Sequence, residues 1–232
     1  MNSPRAFHIG MLIFDGMTNL DFAGPLDVLA RMPDAVVHVL AKSRDPVITD
    51  TGLLVSPALA LGQAPPLDML FVGGGPGSTA LMEDEEVLSF LRERAVTACW
   101  ITSVCTGALV LGAAGLLRGY KAATHWTAMD VLPLLGAEPV CERVVVDRNR
   151  ITGGGVTAGI DFGLRVAALL HGDAVAQAIQ LGMEYDPKPP FDCGSPRLAS
   201  AAIVDRVRQR TAAMTDARMA AARRIAGASP AK

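Results

Sequence analysis

The chain has 232 residues, half of them hydrophobic, and its 21 lysines and arginines nearly balance 23 aspartates and glutamates. That length suits one large domain with a sizeable core, and the even charge excludes a global field aimed at nucleic acid or an acidic surface. The apolar run 7–14 is too short for a signal-peptide core with its cleavage site or for a membrane span, so a cytoplasmic protein without membrane contact is expected.

In chain order, short apolar runs at 7–13, 36–41, 69–72 and 99–104 read as strands, and helical patterns occupy 22–31, 85–96 and 106–117. Strands that are apolar throughout and separated by helices belong to a doubly wound, mostly parallel α/β sheet covered on both faces. Residues 142–147 and 150–152, joined across Arg148-Asn149, predict a hairpin or strand pair, and two helices follow at 157–170 and 173–182. Residues 185–196, YDPKPPFDCGSP, hold four prolines and cannot be regular. The chain therefore divides into a catalytic body, 1–184, and a segment, 185–232, made of a tether and a C-terminal helical arm over 197–225. Ile203, Val207, Met214, Ala221 and Ile225 form the arm's apolar stripe, which packs on the body or on a second subunit. Eight basic residues against two acidic ones from Arg197 onward read as a solvated arginine face rather than a nucleic-acid contact.

Four cysteines, Cys99, Cys105, Cys141 and Cys193, lack CxxC spacing, and four scattered histidines build no metal site, so reduced thiols and no metal are expected. The strongest local signal is WITSVCTGALVLGAAGLL, where a strand stops at Cys105 and a helix begins at once. Such a turn pushes a nucleophile out at the carboxyl edge of the sheet, the usual ligand location in open α/β folds. A buried inert cysteine is the alternative, and it suits Cys99, Cys141 and Cys193 better. At pH 7 an ordinary thiol is only about 3% thiolate, and a helix N-terminus shifts it by about 1.5 pH units at most, so further donors are needed. The backbone N–H groups of Thr106 and Gly107 and the Thr106 hydroxyl are the candidates.

No histidine follows the cysteine, but Asp21 in TNLDFAGPLDVL stands ahead of a helix opened by Gly24-Pro25. Asp21 reads either as an N-cap or as a proton carrier sharing the carboxyl edge with Cys105. In the second case the two groups raise each other's proton affinity and titrate as a pair, with protonated Asp21 beside a thiolate as the resting form. Two glycine clusters frame this edge, FVGGGPGS with Gly74 and Gly75, and ITGGGVTAGID with Gly154. Neither fits a dinucleotide or phosphate-loop pattern; close backbone approach to a ligand, or tight turns alone, explains them. His125 in ATTHWTAMD reads as a structural imidazole, with catalytic base as the alternative.

The elbow SVCTGALVLGAAGLLRGYKAATHW, with LDFAGPLDVL, FVGGGPG and ERVVVDRNRITGGGVTAGIDF, resembles the ThiJ/PfpI superfamily of class I glutamine-amidotransferase-like folds over about residues 7–196. Within it the motifs, including LGMEYDPKPPFDCGSP and the arm, are most similar to the isocyanide (isonitrile) hydratases. The resemblance implies a flavodoxin-like sandwich, a homodimer, no cofactor, and addition of water to a small neutral isocyanide to give an N-substituted formamide. It also implies Cys105 as nucleophile, Asp21 as general acid and base, Thr106 as a hydrogen-bonding neighbour, and Gly154 and Val156 near the pocket; the glycine reading above adds Gly74, Gly75 and Gly107 as expected substrate and oxyanion contacts. Protease-like and glyoxalase-like members typically carry glutamate at the position of Asp21, and many protease-like ones a histidine at that of Thr106. A glyoxalase or thiol hydrolase therefore ranks behind the hydratase. The same elbow pattern occurs in the ligand-sensing half of AraC-type regulators, so a non-enzymatic sensor is the other alternative, although about 35 residues after Pro196 are too few for a helix-turn-helix module.

Overall fold

The computed structural model of the chain describes residues 5–228. In chain order its elements are β1 (Phe7–Leu12), α1 (Asn19–Leu29), β2 (Ala35–Ala41), β3 (Val47–Ile48), β4 (Leu54–Val55), β5 (Leu59–Ala60), β6 (Met69–Val72), α2 (Ser78–Leu81), α3 (Glu85–Ala95), β7 (Trp100–Val104) and α4 (Gly107–Ala113). There follow β8 (Lys121–Ala122), the 3-10 helix Trp126–Leu135, β9 (Glu138–Pro139), β10 (Val144–Asp147), β11 (Arg150–Gly153), α5 (Ala158–His171), α6 (Asp173–Gly182) and α7 (Ala201–Ala228).

The central sheet runs β10-β11-β7-β6-β1-β2-β5 and is parallel except for the edge pair β10–β11. All four residues of β6 are buried, and so are Ile101–Val104 of β7, as central strands covered on both faces require. The edge pair is the expected hairpin, its turn made by Arg148 in the left-handed region at φ 54°. Helices α1, α5 and α6 pack together; α2, α3, α4, the 3-10 helix and α7 form the other contacting group. Gly159 and Gly163 of α5 let it close on Pro25 and Val28 of α1, where an added Cβ would meet side-chain atoms at 2.8 and 2.7 Å. Helix α3 shows why its boundaries were readable: Asp84 caps Val87 N–H, Glu85 and Glu86 open it, and Arg92 and Arg94 close it, all matching the helix dipole.

The register fixes where chemistry can sit. Leu12 pairs with Val72, Val72 with Ser103, and Val104 with Gly153, so the connections after β1, β6, β7 and β11 all leave from one edge. Asp21, Gly74, Cys105 and Gly154 belong to those four connections.

Three boundaries differ from the sequence expectation. Helix α1 begins at Asn19, not at 22, with Thr18 as its N-cap, so Asp21 lies inside the first turn and is no N-cap. Pro25 sits within that helix and has no N–H for the Asp21 carbonyl one turn back. Helix α4 ends at Ala113, four residues early, where turns with Gly115 and Gly119 at positive φ take over. Helix α7 starts at Ala201, and its stripe is uneven: Ala221 is fully buried, Val207, Met214 and Ile225 are half-buried, and Ile203 is 45% exposed. It packs on the 3-10 helix and on α2, and Arg224 pairs with Glu83 at 2.7 and 2.8 Å. Among the described residues no helix is long and apolar enough to cross a membrane.

Candidate active site

Cys105 stands between β7 and α4 at φ 53°, a left-handed conformation that a non-glycine residue adopts only under constraint. Its neighbours supply that constraint. The Cys105 N–H donates to Gly154 O at 2.7 Å and Gly153 O at 3.1 Å, and its carbonyl accepts from Thr124 Oγ1 at 2.8 Å. Both backbone groups of the strained residue are thus held by loops from other strands.

Asp21 is fully buried beside it. Oδ2 accepts the Gly74 N–H at 3.1 Å, Oδ1 is buried without a hydrogen-bond partner, and the carboxyl lies against the Cys105 thiol. Burial pushes the Asp21 carboxyl up to about 7, against the pull of its bonds to Cys105 and Gly74. Burial, and then the carboxyl beside it, push the thiol well above its ordinary range, with the Thr106 N–H and the Arg218 charge pulling the other way. Burial thus raises the proton affinity of both groups, and the thiol is the weaker acid of the two. This corrects the expectation of a resting thiolate: a helix N-terminus and one N–H donor do not offset complete desolvation next to a second acid.

The Thr106 hydroxyl does not reach toward sulfur either. It accepts from Gly75 N–H at 3.0 Å and lies 2.9 Å from Ser78 Oγ, so the threonine ties the elbow to the turn after β6. Gly75 requires its residue type, since φ is +135° and an added Cβ would come within 2.5 Å of Gly16 O. Gly74 needs room instead: its missing Cβ would meet Thr106 N at 2.5 Å and the Cys105 Cβ at 2.8 Å. Gly107 closes the same seam, where an added Cβ would collide with the Val72 and Gly73 carbonyl oxygens.

Those bonds correct the oxyanion expectation at three glycines. The Gly74 N–H is committed to Asp21, that of Gly75 to Thr106, and that of Gly154 to Arg143 O at 2.9 Å. The glycines position the pair rather than offer free donors. Val156 is half-buried and lines, with Gly154, Gly155, Thr124, His125 and Trp126, a cleft of about 440 Å³. Neither Cys105 nor Asp21 reaches that cleft, which meets the elbow through Thr124 and Gly154, the residues bonded to the Cys105 backbone. His125 is a structural imidazole, with Nδ1 2.8 Å from Thr127 Oγ1 and its basicity lowered by burial and by Arg218.

Exposure inverts the sequence expectation for the four free thiols: Cys105 is 5% exposed, whereas Cys99, Cys141 and Cys193 are the exposed ones. The elbow does project its residue from the strand end, but the turn after β6 and the arm roof it over.

A family model described as DJ-1/PfpI family matches residues 8–169, a span that includes both Asp21 and Cys105. The chain belongs to the DJ-1/PfpI family. It is 53% identical over 207 residues, 89% of this chain and 91% of the relative, to an isonitrile hydratase of Pseudomonas putida. It is 30% identical to the transcriptional regulator GbdR of Pseudomonas aeruginosa, matching 77% of this chain but half of the regulator. Among solved structures, a ThiJ/PfpI family protein from Pseudomonas syringae superposes with TM-score 0.92 at 45% identity, over 94% of this chain and 90% of that one.

For this DJ-1/PfpI chain, sequence reading missed one site residue outright. Arg218 of α7 is 3% exposed; its Nη2 donates to Gly75 O at 3.2 Å and its Nε is buried without a partner. The arm is thus not an entirely solvated arginine face, and the site does hold a cation that no motif announced. A signal was available. Arg218 is the one arginine in the arm followed by Met-Ala-Ala-Ala, a small-residue run on which a helix can approach its body closely.

Proposed function

We propose that the chain hydrates isocyanides, R–N≡C, to N-substituted formamides through a covalent adduct on Cys105. The single observation that carries this reading is the buried Asp21–Cys105 pair, in which a carboxyl titrating at about 7 lies against a thiol that needs a base. The likeness to an isonitrile hydratase over nine-tenths of both chains supports it.

In the first step the Asp21 carboxylate takes the thiol proton as sulfur bonds to the terminal isocyanide carbon, and Asp21 then gives that proton to the same carbon. The product is a thioimidate, R–N=CH–S. Water next adds across C=N: Asp21 removes one proton as oxygen bonds to carbon, and that proton passes to nitrogen. The tetrahedral adduct collapses with C–S cleavage and loss of its hydroxyl proton to the pair, releasing R–NH–CHO and the thiol. One carboxyl serves every proton transfer, so its pKa near 7 matches a group that must both give and take. The bonds from Gly74, Gly154 and Thr124 keep acid and sulfur in register during those transfers.

The substrate is small and neutral, and its R group extends toward the cleft lined by Trp126 and Val156. The exposed Leu198 and Ile203 suit a homodimer contact, and free thiols suit the cytoplasm. Formamide release from a simple alkyl or aryl isocyanide, followed by chromatography, tests the proposal: wild type turns over, Cys105→Ala abolishes turnover, and Asp21→Asn loses about 10²-fold or more. The kcat/KM profile rises with pH through about 7, as the carboxyl ionises and becomes a base. Equal turnover in all three proteins, or no turnover in wild type together with tight effector or DNA binding, overturns the proposal in favour of a sensor.

A further inference from the structure

We propose that Arg218 is a positioning residue of the active site, a fixed positive charge delivered by the C-terminal helix that holds the Cys105 sulfur in its anionic form when the proton leaves. The inference rests on Cys105 being the nucleophile, and it assigns to the arm a part in the chemistry.

A buried guanidinium normally meets a carboxylate, because an unpaired charge inside a protein costs several kcal/mol. Arg218 is 3% exposed, and no ion pair involving it occurs among the described residues. Its single recorded bond is to a neutral acceptor, Gly75 O, and Nε has no partner at all. Two other arginines of the arm touch the body without burying a charge, Arg224 in a surface pair with Glu83 and Arg208 over the Trp126 ring, and these would dock the helix by themselves.

Position then identifies the missing anion. Gly75 O receives Arg218, while Gly75 N–H donates to Thr106 Oγ1, and Thr106 directly follows Cys105. The neighbouring Gly74 packs against the Cys105 Cβ and hands its N–H to Asp21. The guanidinium is therefore one residue away from both members of the pair. The groups that share its surroundings are Cys105 at the elbow, Asp21 on α1, which also feels Asp50, and His125 at the start of the 3-10 helix; the Glu83–Arg224 pair lies at the surface. His125 is held neutral, and the Asp21 carboxyl is protonated once it has taken the thiol proton. The thiolate is then the one negative charge left for the buried cation. As sulfur bonds to carbon that charge disperses, and it returns when the C–S bond breaks, so Arg218 favours both the attacking and the leaving thiolate.

The test separates charge from docking and does not depend on isocyanide turnover. Alkylation of Cys105 by iodoacetamide is followed by peptide-resolved mass spectrometry, which distinguishes it from the three exposed thiols, between pH 6 and 10. Arg218→Gln keeps a donor for Gly75 O without the charge; Arg218→Met removes both and leaves an apolar side chain in place of an unpaired ion, so its fold is retained; Arg218→Lys keeps the charge. Arg224→Ala loosens docking at the surface. The expected result is that Gln and Met slow alkylation on the acid limb about tenfold, the equivalent of a midpoint raised by about one pH unit, while Lys recovers most of the loss and Arg224→Ala leaves the rate unchanged. Equal losses of rate for Lys and Gln, or a matching loss for Arg224→Ala, overturn the assignment and make Arg218 a structural clamp. Failure of wild type to hydrate isocyanides would leave these alkylation profiles readable.

Discussion

The two glycine turns at the rim of the sheet share composition but not physical state. The turn after β6 is immobilised: Gly74 and Gly75 have their N–H groups committed, and both lie against backbone atoms, where a Cβ would come within 2.5 Å. The turn after β11 is looser. Gly154 would accept a Cβ at ordinary van der Waals distance, the nearest atoms to a Cβ on Gly155 belong to the His125 ring, and both glycines line the cleft. One turn therefore fixes the acid against the thiol, and the other, while its Gly154 carbonyl holds the Cys105 N–H, also forms a wall that a ligand can touch. Glycine-rich sequence alone does not distinguish these uses; what distinguishes them is whether the absent Cβ faces backbone or a side chain.

The largest expected effect tests the immobilised turn through its charge. Asp21 titrates at about 7 in the folded chain and at its ordinary 3.8 when unfolded. Between those values the unfolded chain binds fewer protons than the folded one, so stability falls as pH rises, by about 1.4 kcal/mol per pH unit, and levels off above 7. Asp21→Asn removes that slope and keeps an oxygen for the Gly74 N–H. Urea unfolding should therefore show the variant gaining on wild type from pH 4 to pH 7, to a difference on the order of 4 kcal/mol. A constant difference across that range would mean that the carboxyl is hydrated and that the turn does not seal it.

Next in size is Gly74→Ala. The new methyl meets Thr106 N at 2.5 Å and Cys105 Cβ at 2.8 Å, and neither atom can rotate away. Overpacking of this kind costs about 1–3 kcal/mol in stability, and displacing sulfur from carboxyl by an ångström costs about a hundredfold in turnover. Thermal melts and formamide assays measure both. Full activity in this variant would show that the two turns yield alike.

The sheet was legible because its strands are apolar throughout and its hairpin carries a two-residue turn, patterns set by burial itself. Cys105 and Asp21 were legible as residue types at strand ends, and parallel register brings such ends to one rim. Three things were not. The start of α1 was misplaced because Pro25 reads as a helix opener, although here it lies one turn further in. The burial of Cys105 depends on a roof built from Gly75 and α7, which are 143 residues apart at the Arg218 bond, and no local pattern encodes so distant a contact. The protonation of the pair follows from that roof, since desolvation is a property of the assembled fold rather than of Cys-Thr-Gly or Leu-Asp-Phe.

The smallest effect belongs to the looser turn and completes the comparison. Gly155→Ala places a methyl 2.7 Å from Cδ2 and 3.4 Å from Nε2 of His125, so the contact is with a ring that can turn about its side-chain bonds. The resisting force is the hydrogen bond between His125 Nδ1 and Thr127 Oγ1, worth about 1 kcal/mol. Yielding by that ring changes the cleft wall and leaves the Gly74, Thr124 and Gly154 bonds of the pair untouched. The expected outcome is therefore a rise of about fivefold in KM with kcat unchanged, since a wall residue contributes binding that substrate and transition state share. A drop in kcat comparable to that of Gly74→Ala would mean that the strain passes from His125 to the Cys105 carbonyl through its neighbour Thr124, and that both turns position the thiol.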